Sequence, residues 1–274
     1  MFRRVSDPLI RKKRRVRRLY FYGGLAIAFI GFYLWQPWEF DFIPRALPNP
    51  NPLIDPDSKR LFARGTRISI VTAHPDDSEF YMGGLLTKLH KSGAIVSQVI
   101  CTDGDKGFYP FEDYLANRKV RRSEALQAAR TWGGIDLVFL GFPDGRLRNN
   151  EATRAAALKE LQRQRPEIVL AFDGDYPPRF SHQDHRRSGE IVQSIVSLVP
   201  TAKWLMRFST QAPNYIVDIT DEWEDQKKLV AIHESQFYGE RLARVLNMIG
   251  SRAEDEGNLS GVGLGEGLRC SPVR

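Results

Sequence analysis

From residue 67 onward, short apolar runs alternate with segments of helical period. Residues 67–72 (RISIVT), 95–101, 136–140, 166–172 and 204–208 carry the dense Ile, Val, Leu and Phe content of strands buried on both faces. Between them, residues 83–92, 117–131, 153–164 and 189–198 space their apolar positions as helices do. A further strand is predicted at 215–218, with helices at 221–234 and 240–249 and a glycine-rich end left unassigned. Strands that alternate with helices predict an α/β fold with a mostly parallel open sheet and helices on both faces, a Rossmann-like three-layer arrangement.

A different pattern precedes this domain. Residues 19–38 hold no charge, are rich in Leu, Ile, Ala and Phe, and place Tyr20, Tyr22, Tyr33, Trp35 and Trp38 towards the two ends. Twenty such residues rise about 30 Å as a helix, the thickness of a bilayer core, so one N-terminal transmembrane helix is expected. Bulky residues follow the run where a cleavage site would need small ones, which favours an anchor over a cleaved signal peptide. Residues 39–59 contain Pro44, Pro48, Pro50, Pro52 and Pro56 and predict an extended stalk, leaving 60–274 as the folded domain.

Charge sets the orientation. The 274 residues carry a formal +7, but residues 1–18 hold nine of the 40 bases and one of the 33 acids, so the remainder has 31 bases against 32 acids. The basic character therefore belongs to a tail, and no nucleic-acid surface is expected on the domain. A basic tail before the span places the N-terminus in the cytoplasm and the domain on the other side, as a single-pass protein in contact with the lipid bilayer. Cys101 and Cys270 are far apart, and Cys101 falls in a strand pattern that buries it as a free thiol.

In open α/β sheets ligands bind at the carboxyl ends of the strands. The segments there are Ala73–Glu79 (AHPDDSE), Thr102–Gly107 (TDGDKG), Gly141–Gly145 (GFPDG) and Asp173–His185 (DGDYPPRFSHQDH), all dense in Asp or His. A histidine beside paired carboxylates just after a buried strand calls for a compensating cation. His182 and His185, three apart at the entry to a helix, can supply the other half of a metal site. A His, Asp, His set leaves a position open for water, as catalytic zinc sites do. Of the neighbours Asp76 and Asp77, one can ligate while the other serves as general base. His90 and His233 are read as surface or capping residues, and Tyr109 or Tyr176 could stack on a ligand ring.

The succession AHPDDSE, Gly83-Gly84, TDGDKG, Arg121-x-x-Glu124, GFPDG and HQDH, followed by His233-Glu234-Ser235-Gln236, resembles the PIG-L/LmbE family of metal-dependent N-acetylglucosaminyl deacetylases. The resemblance implies zinc on His74, Asp77 and His185, with Asp76 as general base; on ligand type alone Fe2+ can occupy such a site. It implies His182 as the residue that polarises the acetyl carbonyl, Asp184 as an orienting carboxylate, and Arg121 and Asp144 as groups that grip sugar hydroxyls. The implied substrate is an N-acetylated sugar or glycoconjugate. Some members carry a tyrosine where this chain has Phe180. Two other readings stay open on the residues alone: a non-haem iron oxygenase using the His-Asp-His set, and a sugar-binding module without turnover.

Overall fold

The computed structural model of the chain describes residues 20, 22–24, 63–107, 114–176 and 181–274. The chain divides into two units, residues 1–39 and 40–274. In the first, residues 20 and 22–24 are helical. The expected span otherwise lies outside the described residues, as do the tail 1–18 and the stalk 39–59. Among the described residues no helix is long and apolar enough to cross a membrane.

The second unit is built on a seven-stranded sheet in the order β3-β2-β1-β4-β5-β7-β6. Its strands are β1 (Arg67–Thr72), β2 (Ile95–Thr102), β3 (Asp136–Phe142), β4 (Ile168–Phe172), β5 (Trp204–Phe208), β6 (Tyr215–Asp218) and β7 (Gly265–Pro272). The first five run parallel, with Ile70 of β1 opposite Gln98 of β2 and Leu170 of β4. The helices are α1 (Asp77–Ser92), α2 (Tyr114–Thr131), α3 (Glu151–Gln164), α4 (Gln183–Ile195), α5 (Trp223–Ala231) and α6 (Gly239–Asn258). From β1 the chain moves outward to β2 and β3, then returns to lay β4 on β1's other edge. The strand order thus reverses between β1 and β4, and that reversal opens the crevice where ligands bind in such sheets.

Alternation along the central strands sorts two cores. Ile68, Ile70, Ile168, Leu170 and Phe172 face one side with Leu85, Leu86, Trp132, Leu229 and Ile249. Val71, Val169 and Ala171 face the other with Ala157, Leu161, Ile191 and Val192. One face is therefore covered by α1, α2, α5 and α6 and the opposite face by α3 and α4, which is the expected three-layer arrangement. Cys101 and Cys270 are both buried and free.

α4 begins at Gln183, six residues before its predicted start, and α6 runs to Asn258, nine residues past its predicted end; two further differences concern β7 and α1. The glycine-rich end forms β7, antiparallel to both β5 and β6. Glycine and proline are poor strand formers, so the segment carries no strand signal of its own. Its place is fixed by neighbours: side chains at Gly265 and Gly267 would run into Ile216 and Pro213. The second difference is that α1 begins at Asp77, six residues before the predicted start, because the polar AHPDDSE string enters the helix directly and the chain then breaks at Met82 (φ −144°, ψ 24°).

That break is capped from β7. Glu266 accepts the N–H of Gly84 through Oε1 at 3.0 Å and that of Leu85 through Oε2 at 2.7 Å. Burial pushes the Glu266 carboxyl up to about 8, against the pull of those two N–H groups. An acid raised in the folded state contributes stability that is full below its unfolded value, near 4.5, and is lost as pH rises through its folded value. Urea unfolding of the metal-free chain is accordingly expected to show a midpoint that falls between pH 5 and about 8. In Glu266→Gln the midpoint should be lower and this slope flattened; an equal slope in both proteins would assign it to another group.

Candidate active site

The site lies at the carboxyl ends of β1 to β4, beside the β1/β4 reversal. Asp77 organises it. Its Oδ2 accepts the backbone N–H of Ala73 at 2.9 Å and of His74 at 2.7 Å, which ties the turn from β1 into α1. Its Oδ1 is left facing two imidazoles, 3.6 Å from His74 Nδ1 and 3.1 Å from His185 Nε2. Those two nitrogens are 3.1 Å apart. His185 comes from the first turn of α4, and its ring is fixed by stacking on Phe172 (centroids 4.2 Å apart, planes 7° from parallel) and by the edge of Tyr81.

One carboxylate oxygen and two imidazole nitrogens therefore converge with separations of 3.1–3.6 Å. Ligands around a tetrahedral ion with bonds of about 2.0–2.2 Å stand roughly 3.3–3.6 Å apart. Donor types and spacing both fit a divalent cation on His74, Asp77 and His185. The other face of His74 supports the same arrangement. Its Nε2 is 3.2 Å from Asp144 Oδ1 and 3.7 Å from Asp184 Oδ2. Ionised carboxylates only accept, so Nε2 carries a proton, and Nδ1 is the nitrogen that would meet a cation held beside Asp77 and His185.

Electrostatics follow from burial and crowding. Burial works against a charged His74, but Asp77 and its bonds with Asp144 and Asp184 outweigh it and raise the group well above the ordinary histidine value. Burial likewise opposes ionisation of Asp77, Asp144 and Asp184, yet the neighbouring histidines hold all three below the usual carboxylate value. His182 goes the other way: burial, then repulsion by His74 and His185, pushes it down to about 3.

His182 is the N-cap of α4, and its Nδ1 accepts the N–H of Asp184 at 3.2 Å. A neutral ring capped in this way carries its proton on Nε2. His182 also lies close enough to His74 and His185 that the three rings could share a ligand, their ligand atoms all within 4.8 Å. Asp184 accepts the N–H of Gly145 at 2.7 Å and of Leu147 at 3.1 Å, fixing the loop after β3 that carries Asp144. Asp144 in turn accepts the N–H of Lys106 at 2.8 Å, fixing the loop after β2.

Asp76 is the residue just before α1. Its Oδ1 accepts from Arg121 Nη2 at 2.7 Å, and Arg121 Nη1 donates to the carbonyl of Gly104 at 2.6 Å. Gly104 has φ +62°, and any side chain there would strike Arg121 and Pro75. All eight residues singled out by sequence are thus gathered around one crevice. Both ends of the Arg121 guanidinium are engaged within the protein, and Asp144 faces His74. Phe180 lies outside the described residues.

The sequence reading passed over a second set. His233, expected at the surface, is fully buried with Nε2 3.1 Å from Glu79 Oε2. Glu79 also accepts from Trp132 Nε1 at 2.6 Å and from the Ser78 hydroxyl at 2.9 Å. Tyr176 is buried in the core, and the helix of His90 leaves that ring exposed. The signal that could have found Glu79 and His233 was their placement inside the AHPDDSE and His-x-Ser-Gln strings.

Comparison with known proteins gives the same direction. The family model described as PIG-L, GlcNAc-PI de-N-acetylase, matches residues 69–196. The chain is 30% identical over 223 residues to diacetylchitobiose deacetylase of Thermococcus kodakarensis, an alignment spanning 75% of this chain and 83% of that one. Among solved structures, N,N′-diacetylchitobiose deacetylase from Pyrococcus horikoshii aligns with a TM-score of 0.71 at 28% identity, over 89% of this chain and 91% of that one. The 4-carboxy-2-hydroxymuconate hydratase GalB from Pseudomonas putida aligns at 0.63 and 20% identity, over 76% and 95% of the two chains. The last likeness is one of fold, and a fold alone does not fix a reaction.

The double role of Asp184 is open to direct measurement. In Asp184→Asn an amide N–H₂ replaces one of the oxygens that now accept from Gly145 and Leu147. Leaving a buried donor without an acceptor costs about 1–3 kcal/mol. Amide exchange at Gly145 and Leu147 is expected to quicken while Leu170 in the core keeps its protection. Unchanged exchange at both would show that the loop is held by other contacts.

Proposed function

Since the chain belongs to the PIG-L family of de-N-acetylases and is a deacetylase, we propose that it hydrolyses the acetamide of an N-acetylglucosamine-containing substrate with a divalent metal held by His74, Asp77 and His185. The observation that carries this reading is the convergence of Asp77 Oδ1, His74 Nδ1 and His185 Nε2, while Asp76, next to Asp77 in the chain, is bonded to Arg121 instead. Two imidazoles and a carboxylate suit zinc best, with Fe2+ as the alternative. The ion would polarise the acetyl carbonyl and lower the pKa of a bound water.

The remaining steps belong to the chain. Asp76 has Oδ1 committed to Arg121, which leaves Oδ2 to take a proton from the attacking water. As the carbonyl carbon becomes tetrahedral, negative charge builds on its oxygen, and the His182 Nε2–H serves as its side-chain donor in this reading. Collapse of that intermediate breaks the C–N bond, and the proton held by Asp76 passes to the leaving amine. Acetate and a free amino sugar result. Asp144 and Asp184 keep the His74 proton on Nε2, so that Nδ1 stays available. Asp144, with lone pairs to spare, also accepts a sugar hydroxyl.

Acetate release from N,N′-diacetylchitobiose, read together with metal analysis of the isolated protein, tests the reading. Asp76→Ala is expected to retain the metal and lose about 10²- to 10⁴-fold in kcat. His182→Ala should retain it and lose about 10²- to 10³-fold. Metal loss in step with activity in Asp76→Ala would make Asp76 a ligand. A metal-loaded protein inert on N-acetylglucosamine compounds would remove the substrate assignment.

The same proposal places the domain beyond the membrane, anchored by residues 19–38 with the basic tail in the cytoplasm. It rests on the charge pattern of the sequence. A reporter fused after Arg274 that is active only outside the cytoplasm is the expected result; one active only inside would reverse the topology.

A further inference from the structure

Three polar links join α1, α2 and the turn that follows α5. Asp76 and Arg121 form the first, between the start of α1 and the middle of α2, at 2.7 Å. One helical turn further along α1 stands Glu79, bonded to His233. One turn further along α2 stands Glu124, whose Oε1 accepts the N–H of Ser235 at 2.8 Å and whose Oε2 accepts the Ser235 hydroxyl at 2.6 Å. The turn is itself closed, since the N–H groups of Gln236 and Phe237 both donate to the carbonyl of His233 at 2.9 Å. Gln236 and Arg121 then press on Gly107 from two directions, where any side chain would strike both.

From this geometry we infer that the turn 233–236 is a positioning clamp for the Asp76–Arg121 pair. It grips each helix three residues beyond a member of that pair, at Glu79 on α1 and at Glu124 on α2, and thereby sets the register of one helix against the other. Residues i and i+3 lie on the same face of a helix, so a bond at the second transmits to the first. His233, Ser235 and Gln236 are 0%, 6% and 5% exposed and Glu79 is 1% exposed, so the His233–Glu79 arm of the clamp is shielded from water, while Glu124 on the other arm is half-buried. Among the described residues the Arg121 Nε is buried without a hydrogen-bond partner, and its two terminal nitrogens go to Asp76 and Gly104. The inference rests on the proposed role of Asp76 for its catalytic consequence but not for its structural one. None of His233, Ser235 or Glu124 is assigned contact with substrate; they act through Arg121 and Asp76.

Ser235→Ala removes one of the two bonds to Glu124 with the least change in volume, and Ser235→Thr retains the hydroxyl. With N,N′-diacetylchitobiose as the probe, Ser235→Ala is expected to lower kcat about 10-fold with little change in KM or metal content, because a displaced base costs rate rather than binding. Ser235→Thr should stand near wild type. In an Arg121→Ala background, Ser235→Ala should add less than about 2-fold, since the group it positions is gone. The same 10-fold loss in both backgrounds would overturn the clamp. Amide exchange in the metal-free chain supplies a readout independent of turnover. The Phe80 N–H, bonded to the Asp76 carbonyl at 3.1 Å, should exchange about 10-fold faster in Ser235→Ala while Val71 and Leu170 are unaffected. Unchanged protection at Phe80 would also overturn it. Should wild type prove inert on the disaccharide, the substrate assignment fails and the exchange measurement decides the clamp alone.

Discussion

Everything around the crevice answers to one constraint: several carboxylates are held ionised where water scarcely reaches. Asp77, Asp144 and Asp184 are all buried, and burial alone would protonate them. They remain charged because each is surrounded by donors that cost nothing further to orient. Backbone N–H groups of 73, 74, 106, 145 and 147 point at them, and His74 stands among all three. The loops after β1, β2 and β3 and the first turn of α4 are tied to each other through these carboxylates. Under the proposed function, a cation on His74, Asp77 and His185 would complete the balance that the backbone begins.

The sheet makes this arrangement possible by separating rigidity from chemistry. β1 and β4 are buried on both faces, so the ends from which His74 and the α4 segment emerge are fixed by packing in two cores at once. Phe172, the last residue of β4, belongs to a core and also carries the stacked ring of His185. Packing error in the core would therefore be felt as a displaced imidazole. Aromatic contact suits this task, because a flat face restricts the tilt of a ligand ring without competing for its nitrogens.

The fold was legible in the sequence where each strand is apolar on both faces, because buried parallel strands leave dense Ile and Val runs that local pattern detects. β7 was not legible: its residues neither alternate nor favour strands, and the strand exists because β5 and β6 leave hydrogen-bonding edges between them and Glu256 accepts from Gly267. Two local clusters were legible, His74, Asp76 and Asp77 after β1 and His182, Asp184 and His185 at the start of α4, and their meeting across 111 residues was legible only because both follow neighbouring parallel strands. Arg121 and Asp144 were found by their motifs, but what they touch was not, since Arg121 meets Asp76 across 45 residues and Asp144 meets His74 across 70. His233 was misjudged because a single histidine in a turn looks solvent-facing, and only its distant partner Glu79 shows otherwise.

The matched family segment ends at residue 196, and all eight residues that the sequence named for the site lie within it. What lies beyond it is support: β7 supplies the Glu266 cap at the break in α1, and the turn after α5 supplies the bonds to Glu79 and Glu124. Such a division has a physical basis. Reacting groups must meet a common chemistry and leave little freedom of residue type, whereas a helix can be held in register by any buried donor and acceptor of the right reach. The hydratase that shares this fold at 20% identity fits the same view, since a scaffold that fixes the ends of β1 to β4 can carry different reactions. The last third of the chain is then the part free to change how the first helix is held, and with it the set of Asp76, without altering which atoms meet the substrate.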